Sequence, residues 1–347
     1  APKGVMTVEL SERIKTHKPQ LLHFLSRQDN AMSWSIRKLQ QIDRSGPIAA
    51  SFSQQRLWLT DQLEGSQHYN IAVALACEGP LDIAALQFSL DQIMARHEVL
   101  RTHFVEIEGE CYQQVAAAGP FGVLIENLSG EQVDSVAVQA RINAEAMAAF
   151  DLSQDLMLRV RVLVLSETQH ILLFTMHHIA SDGWSMQLLI KEFNAFYQQA
   201  LTGVAAEVAP LNIQYGDYAH WQRSCLSAET REGLLRYWRK RLADIPSLHG
   251  LPLDNPRPPQ QRFDSGAVRS VIQGETWTGL KALVQRQGVT LFMVLQGALS
   301  VLLSRVSGET DIVLGVPTAG RHESELAPLI GFFINTLVSR TQVDVTQ

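Results

Sequence analysis

Cysteine, basic runs and long apolar runs are all scarce in this chain, and each shortage closes off a class of function. The three cysteines among 347 residues, Cys77, Cys111 and Cys225, stand far apart without C-x-x-C spacing. A disulfide framework and a thiolate zinc site are therefore not expected, and the thiols read as core or surface bystanders. No apolar run reaches the roughly 18 to 20 residues of a membrane span, and the first residues lack the basic-then-apolar order of a secretory leader. A cytoplasmic chain with no membrane partner is the expectation. Lys and Arg number 29 against 35 Asp and Glu, for a formal charge of −6. No basic or basic-aromatic stretch is long enough to track a phosphate backbone, so nucleic acid is not an expected partner. No G-x-S-x-G elbow or comparable serine or cysteine setting offers a covalent nucleophile.

What is present is apolar content, 46% of the chain, in enough length for two packed cores. The text is organised around residues 170–186, H-I-L-L-F-T-M-H-H-I-A-S-D-G-W-S-M. An apolar run at 171–176 has the length of a buried strand and ends in two histidines, a short loop, an aspartate and a glycine. An amphipathic helix follows, with Trp184, Leu188, Leu189, Phe193, Phe196 and Tyr197 at three- and four-residue steps. Imidazole, carboxylate and helix N-terminus thus converge at one strand end.

Residues 1–28 read as a small separate piece with helical spacing interrupted by Pro19, and 29–47 as a polar linker with a short helix near 34–42. From 51 the pattern alternates. A helix at 51–63, a strand at 68–77, and a helix capped by Asp82 with a stripe of Ile83, Leu86, Leu90, Ile93 and Met94 lead to a strand entered at 96–104. Two runs at 158–165 and 171–176 suit an antiparallel hairpin. A basic helix at 228–242 carries Arg231, Arg236, Arg239, Lys240 and Arg241, and four prolines within 251–259 mark a stiff crossing. Beyond it a helix at 276–287, a strongly apolar and therefore buried helix at 290–306, a strand at 311–316 and a strand-like run at 330–340 are expected. This gives an α/β chain in two regions, 48–250 and 251–347.

The histidine pair admits several chemistries. His177, His178 and Asp182 are metal-ligand types, but neighbours on a strand point to opposite faces, and no third strong ligand lies near. What remains is one histidine acting as base or polar anchor without a covalent intermediate.

His177, His178, Asp182 and Gly183 form H-H-x-x-x-D-G, which resembles the signature of condensation domains in nonribosomal peptide synthetases. Four further stretches stand in that family's order: S-F-S-Q-Q-R-L-W at 51–58, R-H-E-V-L-R-T-H-F at 96–104, Y-G-D-Y-A-H-W at 215–221 and I-G-F-F-I-N-T-L-V-S-R at 330–340. The D-G-W-S-M continuation is similar to condensation rather than epimerisation domains, and the resemblance disfavours heterocyclising relatives too, since these carry aspartates in place of both histidines.

The resemblance implies a two-lobed, V-shaped chloramphenicol acetyltransferase-like fold, with the histidine motif midway along a tunnel between the lobes. It also implies that 251–347 is a partial second lobe, because the family continues past this point. Residues 1–28 resemble the tail of a docking domain that receives an upstream synthetase subunit. The implied reaction is amide formation between a donor acyl or peptidyl thioester and an acceptor aminoacyl thioester, both on phosphopantetheine arms of carrier proteins. No intrinsic cofactor or metal is implied, and an adjacent adenylation domain is the expected neighbour. His178 would act as base or amine anchor, and the Gly183 backbone N–H as oxyanion donor. His177 and Asp182 would support the loop, Asp182 as helix cap, as ion-pair partner of Arg56 or Arg321, or as both. Trp184, Ser185 and Asn335 are candidate tunnel or substrate residues. Two other readings stay open: a non-catalytic docking or gating module, and a coenzyme A-dependent acyltransferase. A basic patch at a tunnel mouth, supplied by the 231–241 helix, would favour carrier proteins over coenzyme A.

Overall fold

The computed structural model describes residues 38–259 and 266–344. The separate piece expected at 1–28 and the first part of the expected linker, 29–37, lie outside them. Residues 38–42, expected in a short helix, are irregular backbone. Their donors go elsewhere: the Ile42 N–H donates to Asp217 at 2.7 Å, and Arg44 holds the same carboxylate through two bonds of 2.6 and 2.8 Å.

In chain order, strand β1 (Ile48–Ala49) leads to helix α1 (Phe52–Glu64), β2 (Asn70–Glu78), α2 (Ile83–Arg96), β3 (Thr102–Ile107) and β4 (Glu110–Val115). Then come β5 (Val123–Asn127), α3 (Val136–Met147), β6 (Leu158–Val164), β7 (Gln169–His177), α4 (Gly183–Thr202), α5 (Tyr215–Cys225) and α6 (Ala228–Arg241). After the proline-rich crossing follow α7 (Gly274–Gln287), α8 (Leu291–Ser307), β8 (Asp311–Thr318) and β9 (Asn335–Gln342). A four-stranded sheet runs β2-β7-β6-β5, a three-stranded one β1-β4-β3, and β8 pairs with β9.

β7 is central to the larger sheet, antiparallel to β2 and β6 with Met176 opposite both Ile71 and Leu158. Its two faces serve two clusters, which is why its sequence is apolar without alternation. Leu172, Phe174 and Met176 join the main core, while Ile171 and Leu173 pack with Val138 of α3. α2 and α4 lie together on the main-core face. Leu86, Leu90 and Ile93 are wholly buried there, each worth roughly 1.5 to 3 kcal/mol of removed apolar surface, while Ile83, at the start of that stripe, stays exposed. Arg96 and His97 both reach Glu192 of α4, at 3.1 and 2.7 Å, so the R-H-E stretch serves as a clamp between the two helices. Burial lowers the His97 pKa, with Glu192 opposing the shift.

Two expectations change. The apolar helix α8 exists, but it is not buried: Phe292, Leu295, Leu299, Leu302 and Val306, one stripe at three- and four-residue steps, are all more than 40% exposed. Its small polar side carries the packing instead, with Ser300 and Ser304 buried and Gln296 donating to Ser339 of β9. The run at 330–340 is a strand only from Asn335. Residues 330–333 are irregular and buried, because their backbone groups bond to side chains of the amino-terminal region rather than to a neighbouring strand.

Urea denaturation should separate the two kinds of leucine. Leu90→Ala is expected to cost about 2 to 5 kcal/mol, whereas Leu302→Gln on the exposed stripe should change stability by less than about 0.5 kcal/mol.

Candidate active site

The loop after β7 is built from three hydrogen-bonded layers. The innermost belongs to His177, which is fully buried. Its Nδ1 accepts the Ile179 N–H at 3.2 Å, so Nε2 carries the proton and donates to Ser66 Oγ at 2.9 Å. Ser66 in turn donates to Asp61. Burial pushes the His177 pKa down to about 4, so the ring stays neutral.

His178, the next residue, is half-buried and points away from its neighbour, packed against the Phe332 ring at 4.6 Å between centroids. Its Nδ1 lies 2.7 Å from the Ser181 carbonyl oxygen. A carbonyl can only accept, so Nδ1 bears the proton and Nε2 is left with its lone pair. That is the tautomer a base or an amine acceptor needs.

The outer layer is Asp182, which caps α4. Its Oδ1 accepts from the Ser185 N–H at 2.8 Å and from the Ser185 hydroxyl at 2.7 Å. Arg321 pairs with it at 3.1 Å, both side chains being only 3% exposed. Oδ2 accepts the Phe333 N–H at 3.2 Å, and Ser185 Oγ accepts the Gly331 N–H at 3.1 Å. Of the two arginines considered, Arg321 is therefore the partner of Asp182. Arg56 makes no side-chain hydrogen bond or ion pair with any described residue and is exposed. Arg321 also donates to the Leu326 and Leu329 carbonyls at 2.6 and 2.7 Å and lies over the Phe333 ring at 4.1 Å. Cap and ion-pair partner are thus one residue.

Tyr215 of α5 closes the seam. Its hydroxyl donates to the Phe332 carbonyl at 2.7 Å and meets Ser51, the cap of α1, at 2.9 Å. The Tyr215 ring packs so close to Gly331 that a Cβ there would sit 2.1 Å from it. Gly320, at φ +66°, is equally restricted: a Cβ would lie 2.0 Å from the Phe333 carbonyl oxygen.

Gly183 opens α4 at an exposed position, and as the first helical residue its N–H has no intrahelical acceptor. Ser185, expected on a tunnel wall, is instead wholly buried and its hydroxyl is spent on the Asp182 network. Trp184 is 47% exposed and donates its indole N–H to the Ala327 carbonyl at 3.0 Å. Asn335 lines a cavity of about 480 Å³ together with Arg56, Phe52, Trp221 and Phe333. Gln54, two residues before Arg56, donates to the Ile179 carbonyl at 3.2 Å, and no residue of 177–185 is among those lining the cavity. Among the described residues no three His, Cys, Asp or Glu side chains converge as a metal site. Tyr215, Ser66 and the Ser181 carbonyl were not anticipated individually. Tyr215 had a signal, as the first residue of Y-G-D-Y-A-H-W; a backbone carbonyl has none.

Residues 45–347 match the family model described as "Condensation domain". A linear gramicidin synthase of Brevibacillus parabrevis is 42% identical over 306 residues, 87% of this chain and 6% of that protein. Malpibaldin synthetase of Mortierella alpina is 41% identical over 305 residues, again 87% of this chain and 6% of that protein. The chain thus spans a small fraction of the length of its curated relatives. The X-domain from teicoplanin biosynthesis superposes at a TM-score of 0.80 with 30% identity, over 89% of this chain and 68% of that one. In its complex with OxyB the TM-score is 0.78, over 88% of this chain and 67% of the other.

Arg321→Met leaves a buried carboxylate unpaired and should cost about 3 to 5 kcal/mol, while Arg56→Met should shift the urea midpoint little, by less than about 0.5 kcal/mol. Two of the buried histidines, His177 and His97, have folded pKa values below their ordinary 6.5. The unfolded chain therefore takes up protons that the folded one refuses as pH falls below about 6.5. Stability should be flat above that pH and fall below it, with the His177 share exhausted near pH 4; thermal midpoints between pH 8 and 4 read this directly, and the fall should be shallower in His177→Gln.

Proposed function

This chain belongs to the condensation-domain family of nonribosomal peptide synthetases, and on that premise we propose that it joins two carrier-bound thioesters through an amide bond. The acceptor's α-amine attacks the donor thioester carbonyl, a tetrahedral intermediate forms, and the donor's thiolate leaves. One proton must pass from the attacking nitrogen, and the thiolate finally takes one up.

The observation that carries this reading is the fixed tautomer of His178. With Nδ1–H held by the Ser181 carbonyl at 2.7 Å, Nε2 presents a lone pair at a half-buried position beside the Phe332 ring. Nε2 accepts a hydrogen bond from the amine, and takes its proton as the intermediate forms. General-base assistance is worth about 10² to 10⁴ in rate. Part of that comes from orientation alone, since an α-amine titrating near about 8 is already partly neutral. The Gly183 N–H, at the positive end of α4, serves the developing oxyanion. Asp182 turns its charge to Arg321 rather than to the imidazole, so its part is to hold the loop. The phosphopantetheine arms are delivered by donor and acceptor carrier proteins and are not a resident cofactor. An adenylation domain is the proposed neighbour, and the expected division into lobes at 48–250 and 251–347 stands as part of the same proposal.

A second reading, binding of another protein without condensation, is supported by the likeness to an X-domain that forms a complex with OxyB. The two readings part on one assay. Donor-loaded and acceptor-loaded carrier proteins are mixed with the full polypeptide that carries these residues, and product is followed by mass spectrometry. His178→Ala should lower the condensation rate at least about 100-fold with the fold intact. An unchanged rate removes His178 from the chemistry, and absence of product from the unaltered protein favours the binding reading.

A further inference from the structure

The tautomer of His178 depends on one carbonyl, that of Ser181, which is presented by the turn of three residues before it. The turn is held from outside. The Ile179 N–H is taken by His177 Nδ1 at 3.2 Å, and the Ser181 hydroxyl donates to the His177 carbonyl at 3.1 Å. The Ile179 carbonyl takes the Gln54 amide at 3.2 Å. The peptide groups on both sides of Ile179 are therefore pinned, and Ile179, Ala180 and Ser181 are closed to water.

Gln54 does more there than its own helix requires. It stands three residues after Ser51 in the capping box that opens α1, and its Oε1 accepts the Ser51 N–H at 3.0 Å. A glutamate would fill that part equally, since the box uses only an oxygen. The NH₂ group is surplus to the cap. It faces two acceptors, the Ile179 carbonyl and Gln113 Oε1, each at 3.2 Å, and it has one proton for each. Gln113 in turn donates to the Ala49 carbonyl of β1 at 3.4 Å. With a donor at Ser51 and acceptors at Ile179 and Ala49, only one orientation of both amides satisfies every contact. Both glutamines are buried. A chain of hydrogen bonds thus runs from the β1-β4-β3 sheet through α1 to the turn beside His178.

The same helix reaches the histidines again near its other end. Asp61 accepts from Ser66, and Ser66 accepts the His177 Nε2–H, which leaves His177 Nδ1 to hold the Ile179 N–H. Gln54 and Asp61 are seven residues apart, two turns of helix and roughly 10 Å. α1 therefore brackets the turn, on its carbonyl side directly and on its N–H side through Ser66 and His177. The direct contact is the glutamine's, and a buried carbonyl deprived of its donor has no water to replace it.

We propose that Gln54 is a positioning residue for the condensation reaction: its amide holds the 178–180 turn so that the Ser181 carbonyl stays on His178 Nδ1 and Nε2 keeps its lone pair for the acceptor amine. This rests on the reading of His178 as base or amine anchor. Gln54 touches no reacting atom and acts through the turn.

Gln54→Glu tests it, because it keeps the oxygen that the cap uses and removes the donor that the turn uses. Hydrogen exchange of the full polypeptide, read by mass spectrometry over 178–183, should quicken about tenfold at the Ile179 and Ser181 amides, the scale of one lost hydrogen bond. In the condensation assay kcat should fall about tenfold at unchanged KM. On a His178→Ala background the same substitution should cost nothing further, since the two residues act as one unit. Leu57→Ala, which loosens α1 from the core without removing a polar contact, should lower the urea midpoint and leave kcat as it is. If the buried carboxylate unfolds the chain, Gln54→Met, with neither charge nor donor, replaces it under the same expectations. Unchanged exchange at the turn overturns the proposal, as does an equal fall of kcat in Leu57→Ala or a fall that persists in full on His178→Ala. Faster exchange at unchanged kcat sinks the positioning role while leaving amide formation standing. Faster exchange in a protein that gives no product sinks amide formation while leaving Gln54 as the residue that orders the turn.

Discussion

The ion pair between Asp182 and Arg321 is the constraint on which the site depends. One carboxylate caps α4, fixes Ser185, takes the Phe333 N–H and neutralises a guanidinium, all at positions closed to water. A buried pair of this kind contributes little net stability against an apolar replacement, but its loss from one side is costly. Its effect is specificity of arrangement. The segment 330–333 has no strand partner and is placed by side chains of the amino-terminal region, so Phe332 meets His178 only while that network is whole.

The two adjacent histidines show how one strand end yields two electrostatic environments. His177 is enclosed by Ser66, Phe150 and the strand, and its charged form is excluded by burial. His178 stands one residue past the strand end, where the chain turns through a short 3₁₀ segment and offers it the Ser181 carbonyl. Ordinary backbone geometry thus sets the tautomer, with no acidic partner required.

Much of this was legible in the sequence because it rests on local patterns. The apolar run of β7, the stripe of α2 and the H-H-x-x-x-D-G stretch each determine their own neighbourhood. Motif residues outside that stretch turned out to be brackets: Gln54 holds the Ile179 carbonyl, His97 holds Glu192, Asp217 holds Arg44, and Tyr215 holds the Phe332 carbonyl. The choice between Arg56 and Arg321 was not legible, since both are single cations remote in sequence from Asp182 and only the turn at Gly320 and the carbonyls at Leu326 and Leu329 bring one of them in. The exposure of α8 departs from its apolar sequence for a related reason. Apolar content shows that a helix needs a cover, and the face that finds one is decided by tertiary packing; here the sheet took the serine side.

The seam joining Asp182 to Phe333 also has a history within the life of each molecule. The two partners stand 151 residues apart along the chain, and a ribosome adding about 5 to 20 residues per second needs on the order of 10 to 30 seconds to cover that distance. For most of that interval the histidine loop exists with its cap formed locally and its arginine, 139 residues on, not yet made. The carboxylate can stay hydrated while it waits, so the loop is completed by desolvation only when the β8–β9 hairpin arrives to cover it.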